Sequence, residues 1–401
     1  MGVVARFLIV SDLHAFIGSL SDRSPSQMAL GTPTSEGLVL LEDCLQVVRD
    51  RFGSVDAVLV AGDLSDRASG DALRALWPEL GKLAEGLQAK LYATAGNHDY
   101  DSRDNGSGNP KGDLLDLEPP FPFHSEAARL NYFAYDFAVD SQSDYVIVSI
   151  NSAAQHGYRK GNVPEHVHGR ITASTIKRLG LHIQAKVLPD IKIALIHHHV
   201  SQLPGLDHAE QSVVQDAQEL HHRLESSGQW IIIHGHKHRP YVQRVSGNGD
   251  APIAISAGSF SANLGGTTFA GQVQNQFHVI EVRSHPVEAP ELTIAGTVYS
   301  WSFTGLAGSS WRVAGSSDAL PGESGFGWKG SPASLAAAVA DMLSDQKPSL
   351  SRAEVESVDP SMVFMTSREL QIMDDHLKST HDANIIYDLQ GRVQNIERRV
   401  A

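Results

Sequence analysis

Short apolar runs of the Val- and Ile-rich kind that form buried strands each end, five times along this chain, in residues that hold metals or move protons. Arg6–Val10 leads into Ser11-Asp12-Leu13-His14, and Ala57–Val60 into Ala61-Gly62-Asp63. Leu91–Thr94 leads into Gly96-Asn97-His98-Asp99. Ile191–Ile196 leads into His197-His198-His199, and Trp230–Ile233 into His234-Gly235-His236-Lys237-His238. Helical patterns lie between the runs. Leu38, Leu41, Leu45, Val48 and Phe52 are spaced 3, 4, 3 and 4, and Leu73 to Leu87 mark a second helix with a break expected at Pro78. Strand–helix alternation specifies a layered α/β domain, in which ligands bind outside the carboxyl ends of the strands.

The spacing within each motif assigns directions. Residues two apart on an extended chain face the same side, so Asp12 and His14 can reach one metal together, as can His236 and His238. Asp63 follows a glycine that permits a tight turn, and its two carboxylate oxygens can bridge two cations. Asn97 offers a neutral carbonyl oxygen to a metal, which leaves its neighbour His98 free to face a substrate. Each motif alone is weak evidence, since Asp-x-His is common by chance. The ordered set, each member at a strand end, is not accounted for by five accidental placements of unsatisfied polar groups.

The set resembles the calcineurin-like metallophosphoesterase superfamily, whose pattern runs Asp-x-His, Gly-Asp, Gly-Asn-His-Asp/Glu, a later His, then Gly-His-x-His. The resemblance covers about residues 6 to 240. It implies an α/β/β/α sandwich with a dinuclear site at the strand ends. It implies that Asp12, His14 and His238 hold one metal, that Asn97, His197 and His236 hold the other, and that Asp63 bridges them. It further implies that His98 is the general acid, held by Asp99. The His197-His198-His199 run resembles the His-His-Pro stretch of the cyclic-nucleotide and glycerophosphodiester phosphodiesterases, with Val200 after His199 where a Pro is common. Either His197 or His198 could be the ligand, and the first matches the family position. Gly62-Asp-Leu-Ser-Asp-Arg67 resembles a protein phosphatase motif, which allows Arg67 a phosphate-binding role or a salt bridge to Asp66 or Asp71.

The ligands are N and O donors without a thiolate, so two divalent ions of Mn, Fe, Zn or Co are expected rather than copper(I) or an iron–sulfur cluster. The reaction implied is phosphoester hydrolysis, with a phosphodiester as the expected substrate: a cyclic nucleotide, a glycerophosphodiester or a nucleotide-type ester. Hydroxide generated at the metals would attack phosphorus while His98 protonates the leaving oxygen. Two other readings stand beside it: a nuclease module of a larger assembly, and a regulatory module with a vestigial site.

The formal net charge of −14 gives no long-range attraction to nucleic acid, so that partner is not indicated. The single cysteine, Cys44, excludes an internal disulfide and sits in a helical apolar pattern. The N-terminal apolar stretch, broken by Arg6, is too short to span a membrane and lacks a signal-peptide pattern, so a cytoplasmic protein without a membrane partner is expected. Residues 1–287 are expected to form the metal domain and 288–401 an accessory region of short β segments, then helices. Its last helix is expected at Ile386, Leu389, Val393, Ile396 and Val400, whose narrow seam would allow self-association.

Overall fold

Alternate side chains of the first strand serve two different cores, and this fixes the layering. The structure, a computed structural model, describes residues 4–21, 23–31, 36–102, 109–158, 168–206, 212–245, 247, 249–267, 269–305 and 310–399. In chain order the first elements are β1 (Val4–Val10), β2 (Phe16–Ile17), β3 (Ala29–Leu30), α1 (Glu36–Phe52), β4 (Ala57–Val60), α2 (Gly70–Gly86), β5 (Lys90–Ala93), α3 (Gly112–Leu115) and α4 (Glu126–Tyr135). Then come β6 (Phe137–Ser141), β7 (Tyr145–Ile150), α5 (Ala173–Gln184), β8 (Ile191–Ile196), α6 (Ala217–Glu225), β9 (Ile231–His234), β10 (Pro240–Arg244) and β11 (Ile253–Ala257). The remainder is β12 (Gln276–Ser284), β13 (Ile294–Phe303), β14 (Trp311–Val313), β15 (Glu323–Phe326), α7 (Pro332–Ala340), β16 (Ser349–Ser351), α8 (Arg352–Glu356), α9 (Ser367–Thr380), β17 (Ala383–Tyr387) and β18 (Val393–Arg398).

One sheet has the order β14-β13-β12-β1-β4-β5, with β15 also on β13, and the other has the order β10-β11-β9-β8-β7-β6. In β1, Phe7 and Ile9 enter the core between the two sheets, with Leu59, Ile193, Leu195, Ile231, Ile233 and Ile255. Leu8 and Val10 enter the core under α1 and α2, with Cys44, Leu73, Leu76 and Trp77. A third core joins the second sheet to Ile176 and Leu179 of α5 and Leu220 and Leu224 of α6. The architecture is therefore the expected α/β/β/α sandwich. Strands buried on both faces are apolar at nearly every position, which is why β4 reads Ala-Val-Leu-Val and β8 reads Ile-Lys-Ile-Ala-Leu-Ile, with Lys192 its one polar residue. Burying each such Leu or Ile stabilises by about 1.5–3 kcal/mol. In each sheet the strands that carry the motifs run parallel: β1 with β4 and β4 with β5, then β8 with β9. All five motifs thus reach the same edge.

Three expectations change. The helix at 73–87 is not interrupted, because α2 runs through Pro78. The division expected at 287/288 falls inside one hydrogen-bonded sheet, since β13 pairs with β12 from Gln276↔Ser302 to Ser284↔Ile294 and β15 pairs with β13. The expected last helix is a β-hairpin, β17 and β18 paired antiparallel. Gly391 lies in the middle of that apolar seam with φ +87°, and Asp388 accepts the backbone N–H of Gln390 and Arg392 to close the turn. Leu389, counted as a seam residue, is 88% exposed at the tip. Ile385, Val393 and Ile396 are the residues that enter a fourth core with α7 and α9. The helix on which self-association was expected to rest is therefore not formed by the described residues. Val400 lies outside them. Also among the described residues, no helix is long and apolar enough to cross a membrane.

Candidate metal centre

Backbone strain marks the site before any side chain is considered. Asp12, His14, Asp63, His236 and His238 all have φ between 47° and 78°, a left-handed conformation that costs a non-glycine residue about 1–3 kcal/mol. The neighbouring loops hold them there. Asp12 N–H donates to Gly62 O at 3.0 Å, His14 N–H to Asp63 O at 3.0 Å, and Gly235 N–H to His197 O at 3.0 Å. Ser259 and Ser261 hydroxyls donate to Asp12 O and Leu13 O at 2.8 and 2.6 Å. Two motif glycines are required by close approach. A Cβ on Gly96 would overlap the Asp63 carboxylate, and one on Gly235 would overlap Ser11 Oγ and the Asp12 carboxylate.

The seven expected ligands converge in two adjoining groups. In the first, Asp12, His14 and His238 have donor atoms within 4.8 Å of one another. His14 Nε2 lies 3.2 Å from His238 Nε2, and His238 Nε2 lies 3.3 Å from Asp12 Oδ1. In the second, Asn97 Oδ1 lies 3.2 Å from His197 Nε2 and 3.0 Å from His236 Nδ1. Asp63 stands between them, with Oδ2 3.7 Å from His14 Nε2 and 3.4 Å from His197 Nε2. His197 sits among these groups, its Nδ1 donating to Ala61 O at 2.8 Å. His198 also brings a ring nitrogen within 4.8 Å of those of His197 and His236, although its Nδ1 lies 2.8 Å from Ser152 Oγ and its ring stacks on His156.

This arrangement fits cations. Asp12 and Asp63 are buried, and among the described residues they pair with imidazoles rather than with Lys or Arg. Burying carboxylates so is costly without further positive charge. Burial opposes protonation of His197, but Asp63 overrides it and lifts the imidazole to about 9. Burial, then the His98 ring, pushes His14 down to about 3. His236 Nε2 and His238 Nδ1 are buried without a hydrogen-bond partner among the described residues. A cluster of buried carboxylates, imidazole nitrogens and an amide oxygen is a donor set for two divalent N/O-binding ions.

His98 lies at the rim, its backbone N–H donating to Asp63 Oδ1 at 2.8 Å. Its expected partner Asp99 is elsewhere. Asp99 is buried and accepts the backbone N–H of Ser65 at 2.9 Å and of Gly96 at 2.8 Å, so it ties two motif loops together. Burial, then the charge of Asp63, raises its carboxyl to about 7. The carboxylate on the His98 ring is Asp66, with Oδ1 3.0 Å from Nδ1. Arg67 is 73% exposed, 3.7 Å from Asp66.

Residues 5–254 match a family model described as calcineurin-like phosphoesterase. Among solved structures, the chain is similar to a dimetal phosphatase from Danio rerio at 13% identity, over 74% of this chain and 95% of that one, with a TM-score of 0.48. It is similar to a purple acid phosphatase from yellow lupin (Lupinus luteus) seeds at 15% identity, over 78% and 53%, with a TM-score of 0.48. It is also similar to an NAD nucleotidase of Haemophilus influenzae at 12% identity, over 78% and 54%, with a TM-score of 0.40. No curated protein matches.

Proposed function

The chain belongs to the calcineurin-like phosphoesterase family, and from that premise we propose that it hydrolyses phosphodiesters at a two-metal centre. Metal-dependent phosphoester hydrolysis follows from the family together with the clustered donors. The observation that carries the reading is the convergence of Asp12, His14 and His238 on one position and of Asn97, His197 and His236 on an adjoining one, with Asp63 between them.

Asp12, His14 and His238 would hold one cation, and Asn97, His197 and His236 the other, with Asp63 between. Bound divalent cations lower the pKa of a water and neutralise charge on the phosphoryl oxygens. The protein's own part is proton transfer and positioning. His98 donates a proton from Nε2 to the departing oxygen. Asp66, on Nδ1, fixes the ring's orientation and stabilises its protonated form. The backbone bond from His98 to Asp63 couples that ring to the metal-holding loop. An alkoxide leaving group needs that proton whether the ester is a monoester or a diester; the diester assignment is supported by the resemblance of the His197-His198-His199 run to the phosphodiesterase stretch.

Turnover with Mn²⁺ against cyclic nucleotides, glycerophosphodiesters, monoesters and oligonucleotides is the test. Diesters are expected to exceed monoesters in kcat/KM, and Asp63→Asn is expected to lose activity and at least one equivalent of metal. Full activity after exhaustive chelation would sink the two-metal reading, and faster monoester turnover would sink the diester assignment alone.

A further inference from the structure

Arg239 follows directly on His238 and precedes Pro240. A residue before proline is restricted to extended backbone, so this side chain leaves the chain in a fixed direction. Its carbonyl accepts the Ser256 hydroxyl at 2.6 Å, which pins it to β11. The guanidinium carbon lies 4.5 Å from the centroid of the Phe269 ring. On another side is Gly205, where an added Cβ would come to 3.1 Å from Nη1. Phe269 and Gly205 belong to the loops that leave β11 and β8, at the sheet edge that carries the metal centre. Phe269 is itself locked into a small apolar cluster with Leu203, Leu206 and Val273.

The cation is therefore built in. It is half-buried and stacked, and among the described residues no carboxylate pairs with it, in a chain of net charge −14. Burial pulls its pKa down, with only the Tyr241 hydroxyl acting the other way. A partly desolvated guanidinium over an aromatic face gains from that face about 0.5–2 kcal/mol, less than a charge-assisted hydrogen bond to an anion can add.

We propose that Arg239 is a specificity-determining residue that binds a second anionic group, phosphate or carboxylate, carried by the substrate beside the scissile phosphoester. The assignment rests on the phosphoester reading of the metal centre. It predicts that the preferred substrates are esters with two anionic groups, such as a nucleotide with a further phosphate.

Methylphosphonate and methylenediphosphonate differ by one anionic group, and neither is hydrolysed. Both are titrated by calorimetry into Mn²⁺-loaded wild type, Arg239→Ala and Arg239→Lys at the same buffered metal concentration. Loss of a charge-assisted hydrogen bond predicts that Arg239→Ala weakens the diphosphonate by about tenfold or more relative to the monophosphonate, with Arg239→Lys in between. Metal content and melting curves confirm that the variants fold. Equal weakening of the two ligands, or of neither, overturns the assignment. Failure of both ligands to bind metal-loaded wild type would overturn the phosphoester reading and this assignment with it.

Discussion

His98 and its neighbours show how adjacent residues take unrelated work. Asn97 turns into the donor cluster, His98 to the rim, and Asp99 back into the loop backbone. His98→Ala should keep both metals and slow turnover by about 10²–10⁴-fold on esters with alkoxide leaving groups, the usual range for general acid catalysis. A p-nitrophenolate leaving group needs little protonation, so its loss should be much smaller. The same loss across leaving groups of different pKa, or metal loss in the variant, contradicts the acid role. Asp66→Asn should act in the same direction, because it removes the carboxylate on Nδ1. Asp99→Ala should differ in kind. It leaves the buried N–H groups of Ser65 and Gly96 unpaired, at about 1–3 kcal/mol each, so urea denaturation should register it as lost stability.

Among the elements, the C-terminal hairpin and the β12 strand give opposite lessons about pattern. Gly391 holds φ +87°, and a Cβ there would come to 2.6 Å from Pro321 Cβ. Gly391→Ala should therefore destabilise by about 1–3 kcal/mol in urea melts. Were this stretch helical, the same change would stabilise by about 1 kcal/mol, so the sign of the shift decides. In β12, His278 is buried between a carbonyl and a hydroxyl. Its Nε2 must carry the proton, donating to Ala257 O at 2.7 Å, and its Nδ1 accepts from Ser300 Oγ at 2.9 Å. Burial pushes this imidazole down to about 4 from 6.5. Its neutral form is thus fully stabilising above pH about 6.5, and that stability is lost as the pH falls toward 4, where the unfolded chain takes up a proton the folded chain refuses. The loss amounts to about 3 kcal/mol over that window. His278→Gln should flatten the acid limb of the stability–pH curve, and an unchanged limb would mean that His278 is not the group responsible.

At the scale of the whole molecule, the sandwich and the metal centre depend on each other. Strained loops at one edge of two sheets hold buried carboxylates that need positive charge. Metal that binds only the folded chain stabilises it by about 2.7 kcal/mol at a hundredfold excess over Kd, so chelation should lower the melting temperature by a few degrees and metal should restore it. Chelation without effect on melting would mean that the loops are held by protein contacts alone. The sequence by itself determined the layered α/β class, because strands buried on both faces are apolar at nearly every position and helices show a 3.6-residue stripe. It also placed the candidate donors at the ends of strands, since motifs that follow parallel strands of one sheet leave it at one edge, while it left His197 and His198 undistinguished. What only the tertiary structure decided were the contacts between separate loops. Asp66 rather than Asp99 meets His98 because the loop after β4 folds across the loop after β5, which spacing along the chain does not encode. Likewise β13 and β15 join the first sheet by pairing with strands that complete it. The seam at residues 386–400 satisfies a helical spacing by count, yet Gly391 and the fourth core select a hairpin. Local period is a property of the chain, whereas partner choice is settled by which surfaces remain to be buried.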